Sequence, residues 1–173
     1  MKDLVFSLTV FCILISTASC SSRHRKSDEI KYVDSESIYE QNIQDSTLAT
    51  GWYYILETEN GFKRQLDKTE EFYFIDPKPI LVKEHFDKLE IFETNFHGQY
   101  ENYVGLSIQI HKNYKDLWAN ATEKSMYKRL GLVINNKLVN APMVNARIEN
   151  GMSSLNRIEY SRDELENFKK QIE

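Results

Sequence analysis

The segment that covers residues 129–151 constrains the fold of this chain more than any other part of the sequence. Its first half places apolar residues at alternate positions, as in a strand with a buried face, at Leu130, Leu132 and Ile134. Asn135 and Asn136 follow, and asparagine tolerates the positive φ angles of tight turns better than most residues. Residues 137–139 then extend again, so the pattern predicts a tight β-hairpin.

The end of this predicted hairpin indicates a sheet edge. Pro142 has no backbone N–H, so the strand before it should end there or lie at an edge. Edge strands expose main-chain groups that can pair with another extended chain. We therefore expect a protein-contact edge formed by Asn140, Pro142, Asn145 and Arg147.

Several short motifs surround the hairpin at fixed spacing. In chain order they are a threonine at Thr122, a strand entry at Lys128-Arg129-Leu130, an Ala-Pro pair at Ala141-Pro142 and an Ile-x-x-Gly motif at Ile148–Gly151. An aromatic residue and a serine then precede acidic residues at 160–165. Together these motifs resemble the periplasmic head of the first large exported domain of SecD, the accessory subunit of the bacterial protein-export translocase. The resemblance covers Thr122 to Leu165.

Three departures from the family pattern concern the turns. Tyr127 stands where the family has Gly, Asn135-Asn136 replaces Asp-Gly, and Asn140 replaces Ser. The resemblance implies an α+β fold in which an antiparallel β-sheet is packed by two main helices. It also implies a role in contact with exported polypeptides rather than catalysis.

The first twenty residues have the pattern of a bacterial lipoprotein signal. Lys2 precedes an apolar run at residues 4–15 that is too short to span a bilayer, and small residues at 16–19 precede Cys20. The pattern predicts a signal peptide over residues 1–19 and lipidation of Cys20, which would anchor the protein to a membrane. The other interpretation is an ordinary secretory signal cut near Ala18, with Cys20 incidental.

Residues 20–50 are polar and contain few large apolar residues, so we expect a flexible tether there and a folded domain over 51–173. A basic cluster at Arg23–Lys26 would either contact anionic lipid headgroups or remain solvated. Cys12 lies within the apolar run, so the mature chain would hold a single cysteine and no disulfide. No apolar run after the signal is long enough to cross a bilayer, and we expect no proton-driven motor in this sequence.

Within the predicted domain, period-two patterns and turn residues indicate strands, and apolar spacing indicates helices. Strands are expected near 52–57, 62–66, 71–75, 89–96, 103–110 and 155–160, and Asp76-Pro77-Lys78-Pro79 is expected to break the third. One helix should cover about 113–126, with Trp118 as its core anchor. Ser161 and Glu164 form a capping box that should begin a second helix.

No motif in the sequence supports an enzyme. The four histidines, His24, His85, His97 and His111, lack the spacing of a metal site, and neither a nucleophile elbow nor a glycine-rich phosphate loop is present. The net charge of −4 without a basic stripe argues against nucleic acid. We therefore expect no catalysis, no cofactor and no metal.

Two functions remain open. The first is a lipid-anchored envelope module that contacts unfolded exported polypeptides or components of the translocase. The second is an immunity- or inhibitor-type lipoprotein that binds one folded partner, since a fold does not fix a function. Both place the protein in the cell envelope, attached to a membrane and facing the periplasm or the cell exterior.

Overall fold

The computed structural model describes residues 35–96 and 100–173, which form three α-helices and eight strands. In chain order these are α1 (Ser35–Asp45), β1 (Gly51–Leu56), β2 (Phe62–Gln65), β3 (Phe72–Val82), β4 (Phe86–Phe96), β5 (Tyr100–Ile110), α2 (Lys115–Lys124), β6 (Leu130–Ile134), β7 (Lys137–Asn140), β8 (Met152–Leu155) and α3 (Arg162–Ile172). The expected α+β class is confirmed. The predicted turn at His97-Gly98 and everything before Ser35, including Cys20, lie outside the described residues.

The strands form two antiparallel sheets. One has the order β2-β3-β1-β6-β7 and the other the order β4-β5-β8. The larger sheet curls so that its two edges meet, because Leu66 forms an isolated bridge with Leu138 and the Asp67 N–H donates to the Leu138 carbonyl at 2.9 Å. This closure leaves little of the β7 edge open.

The main hydrophobic core combines both sheets with α2 and α3. Alternate residues of β5 face this core, at Leu106, Ile108 and Ile110, as the period of a half-buried strand requires. Trp118 from α2 and Leu165 from α3 are buried in the same cluster. Trp118 is therefore the core anchor that the helical spacing predicts. The two main helices expected from the sequence are present.

The hairpin of β6 and β7 has the predicted turn. Asn135 has a φ of 48° and Asn136 a φ of 64°, the left-handed conformation at both central residues of a type I′ turn. The Asn136 Oδ1 accepts hydrogen bonds from the Leu48 N–H at 3.0 Å and from the Arg64 Nη2 at 2.7 Å. The turn thus also joins the hairpin to the segment before β1 and to β2.

These contacts predict opposite effects for the two turn asparagines. Asn136→Gly should lower the free energy of unfolding by about 1 kcal/mol, since the Leu48 N–H loses its partner and this outweighs the relief of positive φ. Asn135→Gly is the matched control, because the bond of its side chain within the described residues is an exposed one to Gln171. It should be neutral or slightly stabilising. Urea denaturation of both variants measures the difference, and equal effects would contradict it.

β3 continues through the prolines that were expected to break it. The reason lies in the neighbours of β3. The strand β2 pairs with its Phe72–Ile75 part, and no other strand among the described residues covers the later part on that side. On the other side the pairing with β1 shifts register twice around Tyr53, which lies opposite Pro79. Prolines without N–H groups are tolerated at such an edge and beside such irregularities.

Residues 35–50 belong to the folded domain, which corrects the predicted tether boundary at residue 50. Helix α1 packs against β3. Asn42, in the C-terminal half of this helix, is buried. Its Nδ2 donates to the Pro77 carbonyl at 2.8 Å and its Oδ1 accepts from the Ala49 N–H at 3.1 Å. The Pro77 carbonyl thus gains a side-chain partner. The folded domain therefore includes helix α1.

The final strand is shorter and earlier than predicted. It covers Met152–Leu155 instead of 155–160, because residues 156–160 turn and bring buried Tyr160 next to helix α3. The capping box of α3 is confirmed, as Ser161 Oγ accepts from the Glu164 N–H and the Glu164 carboxylate accepts from the Ser161 N–H. Short-range chemistry therefore predicts this helix start correctly.

The carboxylate of Glu164 makes this helix start sensitive to acid. Lys68 at 2.6 Å and the donors of Ser161 lower the pKa of Glu164 from 4.5 to about 2. A carboxylate whose pKa is lower in the folded protein than in the unfolded chain stabilises the fold at pH values above the unfolded pKa. This stabilisation is lost as the pH falls through the folded pKa. Glu164→Gln should therefore lower Tm at pH 7 but not near pH 2. Glu166→Gln on the same helix is the control, and a pH-independent loss for Glu164→Gln would contradict the assignment.

Candidate binding cleft

A cleft with a volume of about 520 Å³ lies where α2, β8 and the segment after β7 come together. Its lining is mostly apolar and contains no charged residue. The lining residues are Trp52, Ser107, Trp118, Thr122, Leu130, Pro142, Met143, Val144, Asn145, Ala146, Ile148, Asn150, Met152, Ser153, Ser154 and Asn156. This composition is typical of sites that bind uncharged, partly apolar ligands.

Two tryptophans form the buried side of the cleft. The rings of Trp52 and Trp118 lie 5.2 Å apart between centroids at a tilt of 46°. Their indole N–H groups both reach β8, since Trp118 donates to the Met152 carbonyl at 3.1 Å and Trp52 donates to the Ser153 Oγ at 3.2 Å. The pair therefore fixes β8 in place as well as filling the core.

The opposite wall of the cleft is the segment from Pro142 to Ile148. It is held by main-chain bonds, in which the Tyr127 N–H donates to the Val144 carbonyl at 2.8 Å and the Val144 N–H donates to the Lys128 carbonyl at 2.8 Å. Buried Thr122 holds its far end, because its Oγ1 accepts from the Ile148 N–H at 3.0 Å. The wall is thus attached at both ends, although it has no regular secondary structure beyond isolated bridges.

β8 presents one of its edges to this cleft. Hydrogen-bonded and non-hydrogen-bonded pairs alternate along an antiparallel ladder. The Ile110 N–H donates to the Gly151 carbonyl, so in this register the pair of Ser107 and Ser154 is a non-hydrogen-bonded one. The main-chain groups of Ser154 therefore point away from β5. The Ser154 carbonyl accepts from Asn140 Nδ2 at 3.1 Å, and the Met152 N–H donates to Asn150 Oδ1 at 3.0 Å. The same alternation directs the Ser154 N–H away from β5, as it directs the carbonyl that Asn140 reaches. Ser154 lines the cleft, so β8 directs a main-chain N–H toward the side of the sheet where a ligand carbonyl could lie.

The residues of the predicted contact edge are separated by the fold. Asn140 is buried and holds β8, Pro142 and Asn145 line the cleft, and Arg147 pairs with Glu123 and Glu149 at its exterior. Only two of the four therefore reach a common site.

The β7 edge itself is not open, contrary to the expectation from Pro142. Its carbonyl groups are already bonded, that of Leu138 by the Asp67 N–H and that of Val139 by Arg157 and Tyr160. Burial and the nearby Asp67 carboxylate also raise the pKa of Tyr160, so its hydroxyl stays protonated as a donor. A ligand strand would have to displace these internal partners to pair here.

Sequence reasoning missed Met143, Met152 and Ser154, because an isolated methionine or serine carries no pattern that distinguishes a cleft from a loop. Their common site arises from chain segments that the fold brings together. Across residues 35–96 and 100–173, no helix is long and apolar enough to cross a membrane. Nor does this part of the chain bring three or more metal-binding side chains of His, Cys, Asp or Glu together.

Comparison with known proteins identifies the fold. No protein-family model and no curated protein matches the chain. The structure is similar to that of SecDF in its super-membrane-facing form, with a TM-score of 0.55 and 10% identity, over 82% of this chain and 21% of that one.

A second SecDF structure, of a membrane component that enhances protein export, gives a TM-score of 0.54 and 13% identity over 82% of this chain and 70% of that one. The chain thus spans only about a fifth of the first SecDF structure, and the likeness at these identities concerns the fold. Together with the two packed sheets and helices described above, it shows that this protein has the α+β fold of the SecD periplasmic head.

Proposed function

We propose that this protein is a lipid-anchored module of the cell envelope that binds unfolded, uncharged segments of exported polypeptides without catalysing a reaction. The observation that carries the proposal is the uncharged cleft beside β8. A charged group would have to give up its hydration to enter it, so the chemistry of the lining favours neutral ligands.

The main-chain N–H of Ser154, which points away from β5, supports a polypeptide as the ligand. A polypeptide offers a carbonyl at every residue, and the Ser154 N–H can donate to one of them while apolar side chains contact Met143, Ile148 and Met152. The SecDF protein described above enhances protein export, which agrees with a polypeptide ligand for a domain of the same fold. We expect dissociation constants on the order of micromolar or weaker, since an unfolded segment loses conformational entropy when it binds.

The test is a titration of the purified mature protein in detergent with a secretory precursor diluted from urea, and with the same precursor after folding. Met143→Lys places a charge on the cleft rim and should weaken binding of the unfolded form at least about tenfold. Leu117→Lys is the control, since Leu117 has a similar exposure, 42% against 50% for Met143, and does not line the cleft. It should bind like the wild type.

Equal binding of folded and unfolded precursor, or an unchanged affinity in Met143→Lys, would contradict the proposal. Capture of a single folded partner from envelope extract, with no binding to unfolded precursors, would support the inhibitor-type function instead. Saturable turnover of an envelope substrate would contradict the absence of catalysis.

The membrane anchor is a separate prediction from the sequence before Cys20, which lies outside the described residues. The mature protein should carry acyl chains on Cys20 and sediment with membranes. Cys20→Ala should leave the protein unprocessed or release it from the membrane. Mass spectrometry of the N-terminus measures this, and an unmodified first residue other than Cys20 would show that the anchor is wrong.

A further inference from the structure

Tyr127 has a backbone conformation that is unfavourable for its side chain. Its φ is 60°, in the left-handed region where glycine and asparagine are common and bulky residues are rare. The turn from α2 into β6 imposes this angle, because the Lys128 N–H donates to the Ser125 carbonyl at 2.8 Å and the Tyr127 N–H donates to Val144. The backbone at this position therefore has a structural role that any residue tolerant of positive φ could fill.

The side chain of Tyr127 contributes nothing visible to the fold. It is 75% exposed, the highest value among the exposed large hydrophobic residues described. Among the described residues it makes no hydrogen bond, ion pair or ring contact. A bulky residue in this conformation is thus neither favoured by the backbone nor retained by internal packing, and strain of this kind is often found at functional sites.

The position of Tyr127 is next to the cleft wall. Its N–H holds the carbonyl of Val144, which lines the cleft, and Arg129 forms a bridge with Met143, which is half exposed on the rim. The residues from Tyr127 to Arg129, between α2 and β6, thus run beside the segment that forms the wall. A polypeptide that extends out of the cleft past Met143 would pass this part of the surface.

We propose that Tyr127 is a contact residue for the unfolded polypeptide bound in the cleft, and extends the apolar binding surface beyond the rim. The inference rests on the proposed function of the cleft. The absence of charge in the lining selects a neutral, partly apolar segment as the occupant, and an aromatic ring contacts such side chains through a large apolar area. Tyrosine is common at interfaces for the same reason.

Substitutions at Tyr127 separate this contact from a structural role. Tyr127→Gly and Tyr127→Asn should leave Tm unchanged or raise it by about 1 to 4 °C, because both residues accept a positive φ. Both should weaken binding of the urea-diluted secretory precursor about fivefold to tenfold, since they remove an aromatic contact. Tyr127→Phe keeps the ring and should keep the wild-type Tm and affinity.

Two results would overturn the inference. One is an affinity of Tyr127→Gly within about twofold of the wild type while Met143→Lys still loses binding, which would leave the proposed function intact. The other is a clear fall in Tm for both Tyr127→Gly and Tyr127→Asn, which would show that the ring stabilises the fold. If every cleft variant binds the precursor as well as the wild type does, the proposed function and this inference are both wrong.

Discussion

Trp118→Ala should lower the free energy of unfolding by about 3 to 5 kcal/mol, the usual cost of removing a buried aromatic residue. The side chain is 2% exposed, packs against Trp52 and holds the Met152 carbonyl of β8. Its loss leaves a cavity and removes the indole donor from the Met152 carbonyl. The same substitution removes the buried side of the cleft, so precursor binding should disappear as well.

Trp118→Phe is the matched control for this prediction. It keeps most of the buried volume but removes the indole donor, so it should cost about 1 to 2 kcal/mol. Chemical denaturation followed by fluorescence of the remaining tryptophan, Trp52, measures both variants. Equal costs for alanine and phenylalanine would show that the hydrogen bond to β8, and not packing, determines the role of Trp118.

Gly51→Ala should lower the free energy of unfolding by about 3 kcal/mol, at the upper end of the range for overpacking. Gly51 lies in β1 between Val82 of β3 and Val133 of β6. A methyl group there would overlap the carbonyl oxygen of Leu81 and lie 3.0 Å from the Cα of Val82. The obstacle is the backbone of β3, so the two strands would have to separate.

Gly105→Ala is the control for this effect, because the obstacle there is a side chain. A methyl group on Gly105 would meet the ring of Phe92, which is only partly buried and can rotate away. We expect a loss of about 1 kcal/mol or less. Thermal unfolding of both variants gives the comparison, and a smaller loss for Gly51→Ala than for Gly105→Ala would contradict the assigned close approach of β1 and β3.

The sequence by itself determined the features that depend on neighbouring residues. The turn at Asn135-Asn136 and the capping box at Ser161 both appear as predicted, because their hydrogen bonds and φ angles involve residues within a few positions of one another. The core role of Trp118 followed from helical spacing, and the motifs between Thr122 and Leu165 were sufficient to indicate the SecD-head-like fold. Short-range chemistry and a family resemblance are thus sufficient to predict the fold class from the sequence.

Only the tertiary structure decided what depends on distant parts of the chain. β3 passes through Pro77 and Pro79 because it is an edge there, and Asn42 of α1 satisfies a carbonyl that no strand partner reaches. The β7 edge is covered by Asp67 and Arg157, residues far away in sequence. The cleft likewise assembles Trp118, Met143 and Ser154 from three segments. These long-range contacts determine which polar groups are bonded inside the protein. Local sequence propensity carries no information about such contacts.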